Sequence, residues 1–402
     1  MKNLKISFEI KNMPLRSVAE RGGEDSFVIE ASSGVLSVFV KYDVDPRPLV
    51  LRGSVAVGDT VEAILMPHRI ELYVNGKLCD EEWPAGECLF KSEDAFEPNI
   101  GITFAEYEEK RESQPDVLYT FENAEGWRPE GTFVGDCMPY VKGGEYHVLY
   151  LKDRRHHCSK WGYGGHQWEH ISTKDFKVWS VHPTAVPITD PTEWSICTGS
   201  WFGYGEREYL FYSVRRGHGV ASPILRSVST DGYHFEKDRD FGFVISERYN
   251  RVSARDPKLL RGEDGLFHML LTTKLVEEER GCLAHYVSAD LDSWRDSGEP
   301  IYIAKDNTSP ECPDYFFFGG RYYLVYSLGG VAHYSFSDRP FDGFVEPEDS
   351  VIPCGVVPKC AIWGDRMIFT GFVKEEGAGY AGRMTFKAAT ARPDGTLAFE
   401  DV

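Results

Sequence analysis

The sequence predicts an all-β protein, an N-terminal β-sandwich followed by a five-bladed β-propeller, and three observations predict it. Aromatic residues make up 14% of the 402 residues, beside 39 Gly and 22 Pro. Rings pack well on pleated strands while Gly and Pro punctuate turns, so short strands outcompete helices. The first hundred residues alternate apolar and polar positions around an Asn-Gly pair. Beyond about residue 120, one aromatic-rich, Gly-centred pattern recurs five times.

In order along the chain, residues 1–105 read as antiparallel strands. Val35-Leu36-Ser37-Val38-Phe39-Val40 and Val61-Glu62-Ala63-Ile64-Leu65 alternate with the period of a half-buried strand. Ile70 to Leu78 carries Asn75-Gly76 after a strand run, the strongest short-range hairpin signal in the chain. This block resembles a concanavalin-like (laminin-G-like) β-sandwich. The charged stretch from Glu106 to Pro115 reads as a linker, which puts the sandwich and linker at 1–115 and the propeller at 116–402.

The five repeats are GDCMPYVKGGEYHVLY (135–150), CTGSWFGYGEREYLFY (197–212), ARDPKLLRGEDGLFHML (254–270), ECPDYFFFGGRYYLVY (311–326) and PKCAIWGDRMIFTG (358–371). Each is a polar cluster, a Gly-centred turn and an aromatic strand, followed by a second strand pair around a Ser/Asp turn. The turn glycines Gly144, Gly205, Gly265, Gly320 and Gly364 lie 61, 60, 55 and 44 residues apart. Each unit has room for four short antiparallel strands, which is a propeller blade.

Charge narrows the partners. Forty-four Lys+Arg against 63 Asp+Glu leave a net charge of −19, a surface that phosphate backbones and anionic membranes repel. Neither nucleic acid nor membrane is an expected partner, and the sequence is silent on oligomeric state. The opening MKNLKISFEI has no apolar signal core. Nine scattered cysteines with no C-x-x-C pair fit neither a disulfide framework nor a zinc ribbon, so a reduced, cytoplasmic setting is expected.

In a propeller the first strand of each blade lines the central channel, so residues that begin the repeats converge. Three repeats begin with an acid at corresponding phase: Asp136, Asp256 beside Arg255 and Pro257, and Glu311. Carboxylates gathered round one axis repel, which raises at least one pKa into the range of general acid work. No Ser-His-Asp order, phosphate loop or H-E-x-x-H pattern offers another chemistry. Glycoside hydrolysis needs two carboxyl groups, and a third can stabilise a cationic transition state. Trp161, Trp168, Trp201, Tyr204, Tyr315 and Phe316 offer rings for sugar stacking, or simply for the propeller core. The expected partner is a small carbohydrate substrate, with no cofactor and no metal.

At these residues the chain resembles glycoside hydrolase family 32 of clan J. The resemblance rests on Asp136 in the first strand, Arg255-Asp256-Pro257, and Glu311-Cys312-Pro313-Asp314. Trp161-Gly162 leading into Trp168–Trp179 and Thr198-Gly199-Ser200-Trp201, where the family carries a Ser-Gly-Ser turn, add to it. It implies Asp136 as nucleophile, Glu311 as acid/base and Asp256 as transition-state stabiliser. Arg255 would hold the sugar or orient Glu311, with Trp161, Thr198 and Trp201 binding substrate. The implied reaction is retaining hydrolysis of β-fructofuranosyl linkages in sucrose, short fructo-oligosaccharides or a related fructoside.

The chain departs from the family's pattern in three places. Gly135 and Cys137 flank the nucleophile where the family usually reads Asn-Asp-Pro-Asn-Gly. Asp153-Arg154-Arg155-His156-His157 replaces the stretch around the family's Gln, and the sandwich precedes the propeller. Two alternatives stay open: an inverting arabinosidase or xylosidase of the related family 43, and a carbohydrate-binding propeller without catalysis. A fructosyltransferase would differ only in what intercepts the intermediate.

Overall fold

The computed structural model describes residues 3–44, 47–109, 113–159 and 164–402. The chain divides into two compact units. One comprises Met1–Ser113 with Cys158–Gly165 and Ile188–Trp194; the other comprises Gln114–His157, His166–Pro187 and Ser195–Val402.

The first unit is a sandwich of two five-stranded antiparallel sheets. One has the order Thr103–Glu106, Leu4–Glu9, Thr60–Leu65, Ile70–Val74, Lys77–Glu82; the other runs Leu49–Ser54, Val35–Val40, Glu24–Ser32, Leu15–Arg21, Phe96–Glu97. Alternation does the work expected of it: Leu36, Val38 and Val40 of one sheet pack with Ile6, Ala63 and Leu72 of the other in one buried core. Asn75 and Gly76 turn the hairpin with φ of 50° and 76°, the pair of left-handed residues that a type I′ turn needs. Glu106, assigned from sequence to the linker, closes a strand instead and pairs with Leu4.

The second unit is built of five antiparallel blades. Their inner strands are Phe133–Lys142, Ser195–Tyr204, Arg255–Arg261, Glu311–Phe318 and Val356–Trp363. Each contacts the next in order and the fifth contacts the first, so the ring closes. Each inner strand pairs with the strand after it, at Glu145–Asp153, Arg207–Arg215, Phe267–Lys274, Arg321–Leu328 and Arg366–Lys374. The five periodic glycines lie in the connections between these pairs, all with positive φ from 63° to 83°. Further out, a hydroxyl and a carboxylate cap the turn in three blades. Thr173, Ser229 and Ser288 accept backbone N–H bonds through Oγ, and Asp175, Asp231 and Asp290 accept two more each. A single bridge, Val134 to Gly382, joins the sheets of the first and fifth blades. Among the described residues no helix is long and apolar enough to cross a membrane.

Every inner strand carries a β-bulge near its start, two residues facing one on the partner strand. The bulged pairs are Gly135-Asp136, Cys197-Thr198, Asp256-Pro257, Cys312-Pro313 and Val357-Pro358. Proline lacks the N–H a ladder requires and is tolerated at a bulge, where pairing is already interrupted. In those three blades the residue before it is left-handed, with φ of 56° at Asp256, 51° at Cys312 and 41° at Val357. Such conformations are costly for residues with a Cβ and persist where the surrounding fold imposes them.

Candidate active site

The bulges aim the acids, but not from one phase. Asp136 holds the second bulge position, shared with Thr198; Asp256 holds the first, shared with Cys312; Glu311 precedes its bulge, at the position of Arg255. The expectation of three acids at matching phase is therefore corrected: they sit at three successive positions. A bulge inserts one residue and swings its neighbours about the strand, so residues of different phase can face one point.

Asp136 is the most heavily coordinated. Its Oδ1 accepts from the Tyr380 hydroxyl at 2.8 Å, and its Oδ2 accepts from the Thr198 hydroxyl and from the Cys312 thiol at 3.4 Å. Burial pushes its pKa up; the Thr198 and Tyr380 donors pull it down and the Asp256 charge pushes it up further. Asp256, 3% exposed, accepts the Cys312 N–H at 2.9 Å and has the Arg255 Nε at 3.7 Å. Arg255 donates to Glu311 Oε1 at 2.9 Å and to the Ser253 carbonyl at 2.8 Å. The Glu311 side chain is 42% exposed, against 4% for that of Asp256. Its pKa is raised by burial, against which the Arg255 cation pulls down.

A shielded carboxylate held by three donors, an open carboxyl with a raised pKa, and a buried third acid paired with an arginine form a set suited to nucleophile, proton donor and charge stabiliser. Below them on the same strands, Lys258 Nζ meets Asp314 Oδ1 at 2.5 Å, and buried Lys359 donates to the Gly199 carbonyl at 2.9 Å. These residues line a cavity of about 280 Å³ together with Met138, Trp201 and Leu260.

Of the remaining predicted residues, Thr198 joins the acids, within a bulged strand rather than in a turn. Trp201 does not join them. Three residues at about 3.3 Å each carry it roughly 10 Å along the strand from Thr198, where it stacks on Tyr140 at 4.5 Å and donates to Glu208 at 2.7 Å. Trp161 lies outside the described residues. Trp168 and Tyr315 are buried in the propeller rather than offered for sugar stacking, with the Trp168 Nε1–H on the Cys197 carbonyl.

Sequence reasoning missed Tyr380, which comes from the fifth blade; the only local signal is Gly135. A Cβ there would lie 2.4 Å from the Tyr380 hydroxyl oxygen. Among the described residues, three sets of side chains bring possible metal donors within 4.8 Å of one another: buried His147, His170 and His182; Asp153, His157 and His166; and exposed Asp116, Asp231 and His234. In the first, His147 Nδ1 and His170 Nε2 are 3.0 Å apart and Ser172 bonds His182 at 2.7 Å. In the second, His166 donates to Asp153 at 2.7 Å.

Residues 129–345 match the family model for the glycosyl hydrolases family 32 N-terminal domain. The chain is 27% identical over 212 residues to a sucrose-6-phosphate hydrolase of Vibrio alginolyticus, covering 50% of this chain and 40% of that protein. It is 22% identical over 220 residues to an insoluble β-fructofuranosidase isoenzyme of Arabidopsis thaliana, covering 50% and 35%. The chain thus spans less than half the length of these curated relatives. Among solved structures, fructan 1-exohydrolase IIa of Cichorium intybus in complex with 1-kestose superposes with a TM-score of 0.59 at 17% identity, covering 70% of this chain and 61% of that one. The sucrose-6-phosphate hydrolase of Lactobacillus gasseri gives 0.57 at 17% identity, covering 71% and 63%. These two likenesses establish a shared fold.

Proposed function

The chain belongs to glycosyl hydrolases family 32, and on that premise we propose that it hydrolyses β-fructofuranosyl linkages with retention at the anomeric carbon. The observation that carries the reading is the chain of contacts at the inner-strand bulges that brings Asp136, Cys312, Asp256, Arg255 and Glu311 together. Asp136 attacks C2 of the fructosyl unit while Glu311 gives its proton to the departing oxygen. The C2–O bond to the leaving group breaks as the ester to Asp136 forms. Water, losing its proton to Glu311, then attacks C2 and returns Asp136 as a carboxylate. The openness of Glu311 suits an acid that must exchange its proton with leaving group and water, and its raised pKa keeps the proton available. Asp256, held by Arg255 and the Cys312 N–H, faces the positive charge that develops on the ring.

The substrate class is sucrose, short fructo-oligosaccharides or a related fructoside; relatives named for sucrose 6-phosphate and for β-fructofuranosides support it. Residues of the 116–402 segment supply this chemistry, and the N-terminal sandwich is assigned no part in it. Cytoplasmic placement is supported by the buried free thiols Cys137, Cys312 and Cys354.

The test is a panel of sucrose, sucrose 6-phosphate, 1-kestose, inulobiose, levanbiose, and aryl arabinofuranoside and xyloside, run with wild type, Asp136→Asn and Glu311→Gln. Fructose release is expected, falling by about 10²–10⁴-fold in Glu311→Gln and at least as far in Asp136→Asn. Nuclear magnetic resonance of the first-formed anomer should report retention. Pentose release without fructose release would move the protein to the arabinosidase and xylosidase chemistry.

A further inference from the structure

We propose that Tyr380 is a positioning residue for Asp136, held in place by the 153–157 loop and admitted by Gly135; the proposal rests on the nucleophile role given to Asp136 above. The Tyr380 hydroxyl engages Asp136 twice. It donates to Oδ1 at 2.8 Å and accepts the Asp136 backbone N–H at 3.1 Å. One oxygen thereby ties the carboxylate to its own backbone and confines it to a single rotamer. Attack on C2 requires such confinement, since a near-attack geometry tolerates little angular scatter.

Tyr380 is itself clamped. The His157 ring stacks on it with centroids 3.6 Å apart and planes 19° from parallel. The His156 Nδ1–H donates to the Tyr380 carbonyl at 2.8 Å, and the Phe372 ring meets the phenol edge-on at 5.2 Å. The loop that delivers both histidines is unusual, because His156 and His157 are left-handed in succession, with φ of 50° and 62°. Asp153, 1% exposed, holds that conformation. Its carboxylate accepts the backbone N–H groups of Arg155 at 2.9 Å, of His156, and of His157 at 3.2 Å, and the His166 ring at 2.7 Å. Burial pushes the His157 pKa down to about 3, so an uncharged ring covers the phenol at working pH. Burial also raises the Tyr380 pKa, so the phenol remains a donor.

Gly135 is the counterpart on the nucleophile's own strand. A Cβ there would meet the phenol oxygen at 2.4 Å and Cζ at 2.9 Å, so any side chain at 135 expels Tyr380. Loop, tyrosine and glycine therefore form one device, in which the sparest residue in the strand makes room for the donor.

The test reads the carboxylate directly and needs no substrate. Protein labelled with carbon-13 at aspartate carboxyls is titrated as wild type and as Tyr380→Phe, which keeps the stacked ring and loses only the hydroxyl. The Asp136 signal is assigned by its loss in Asp136→Asn. Asp136 is faced by Asp256, Glu311 and Cys312, and Tyr380 by Asp153, His157 and His166; their signals serve as internal references where they are labelled. Losing a donor to the charged form should move the Asp136 titration to higher pH. On a cleaved fructoside kcat should fall roughly 10- to 100-fold, the worth of one hydrogen bond to a charged group, with KM little changed and the acid limb displaced upward. Gly135→Ala should reproduce the displaced titration, and should add nothing in a Tyr380→Ala background. An unchanged Asp136 titration in folded Tyr380→Phe overturns the proposal, whatever turnover does. A displaced titration in a protein that cleaves no fructoside would instead sink the substrate reading and leave the positioning role standing.

Discussion

Arg255 works on two acids at once, and its removal should separate them. The guanidinium lies against Asp256 and donates to Glu311, whose pKa it holds down against burial. In Arg255→Gln the Glu311 carboxyl loses that cation and keeps its proton to higher pH. Because the proposed first step consumes the protonated form, the basic limb of the kcat/KM profile should move upward, while the maximum falls by about 10- to 100-fold. A stopped-assay pH series on the substrate identified above reads both. At this scale the sequence was partly transparent. The runs Arg255-Asp256-Pro257 and Glu311-Cys312 announce themselves because neighbours in sequence remain neighbours in the site. Tyr380 could not be found that way: it sits in Gly379-Tyr380-Ala381, outside any repeat, 244 residues from the carboxylate it touches. Trp201 misled for the converse reason, since nearness in sequence to Thr198 becomes distance along an extended strand.

Strand and turn carry their own consequences. Gly199 follows the second bulge, and a Cβ there would come within 1.8 Å of the Phe211 carbonyl oxygen, part of a backbone that cannot yield. Gly199→Ala should cost about 1–3 kcal/mol in urea unfolding and, by displacing Thr198, lower kcat as well. The outer turns make a pH-dependent contribution. Asp175 is held below the ordinary carboxylate range by the N–H groups of Val178 and Lys177, and Asp290 by those of Ser293 and Asp292. A depressed folded pKa stabilises fully above the unfolded value near pH 4 and less as pH falls through the folded one. Asp175→Asn with Asp290→Asn should lower the urea midpoint at pH 7, because the neutral amide still accepts the N–H bonds but forgoes the extra strength of a charged acceptor. Variant and wild type should come together at about pH 2. The decline between about pH 4 and pH 2 should become shallower. Blades were legible as elements because glycine spacing and aromatic strands are written in residue types. The bulges were not, because register is a relation between two strands; Pro257, Pro313 and Pro358 are their only trace in the sequence.

For the whole molecule, the ring closes through the Val134–Gly382 bridge and through packed side chains. Phe386 of the fifth blade is 5% exposed and packs on Phe176 and Trp179 of the first, with centroids 5.5 and 5.4 Å apart. Phe386→Ala should cost about 3–5 kcal/mol, seen as a lower urea midpoint with one transition retained for the propeller. Five units and their order were readable from the sequence, but not which pair of blades would share a sheet. That pair is the first and the fifth, joined by Val134 and Gly382, two residues to either side of the contact between Asp136 and Tyr380.

That placement has a consequence for a chain made from its N-terminus onward. Tyr380 leaves the ribosome 244 residues after the carboxylate it contacts. A nascent chain that stops short of Tyr380 would carry all three acids and still lack the phenol that holds Asp136. The contact between Asp136 and Tyr380 thus forms only after the inner strand of the fifth blade and its partner strand have been made.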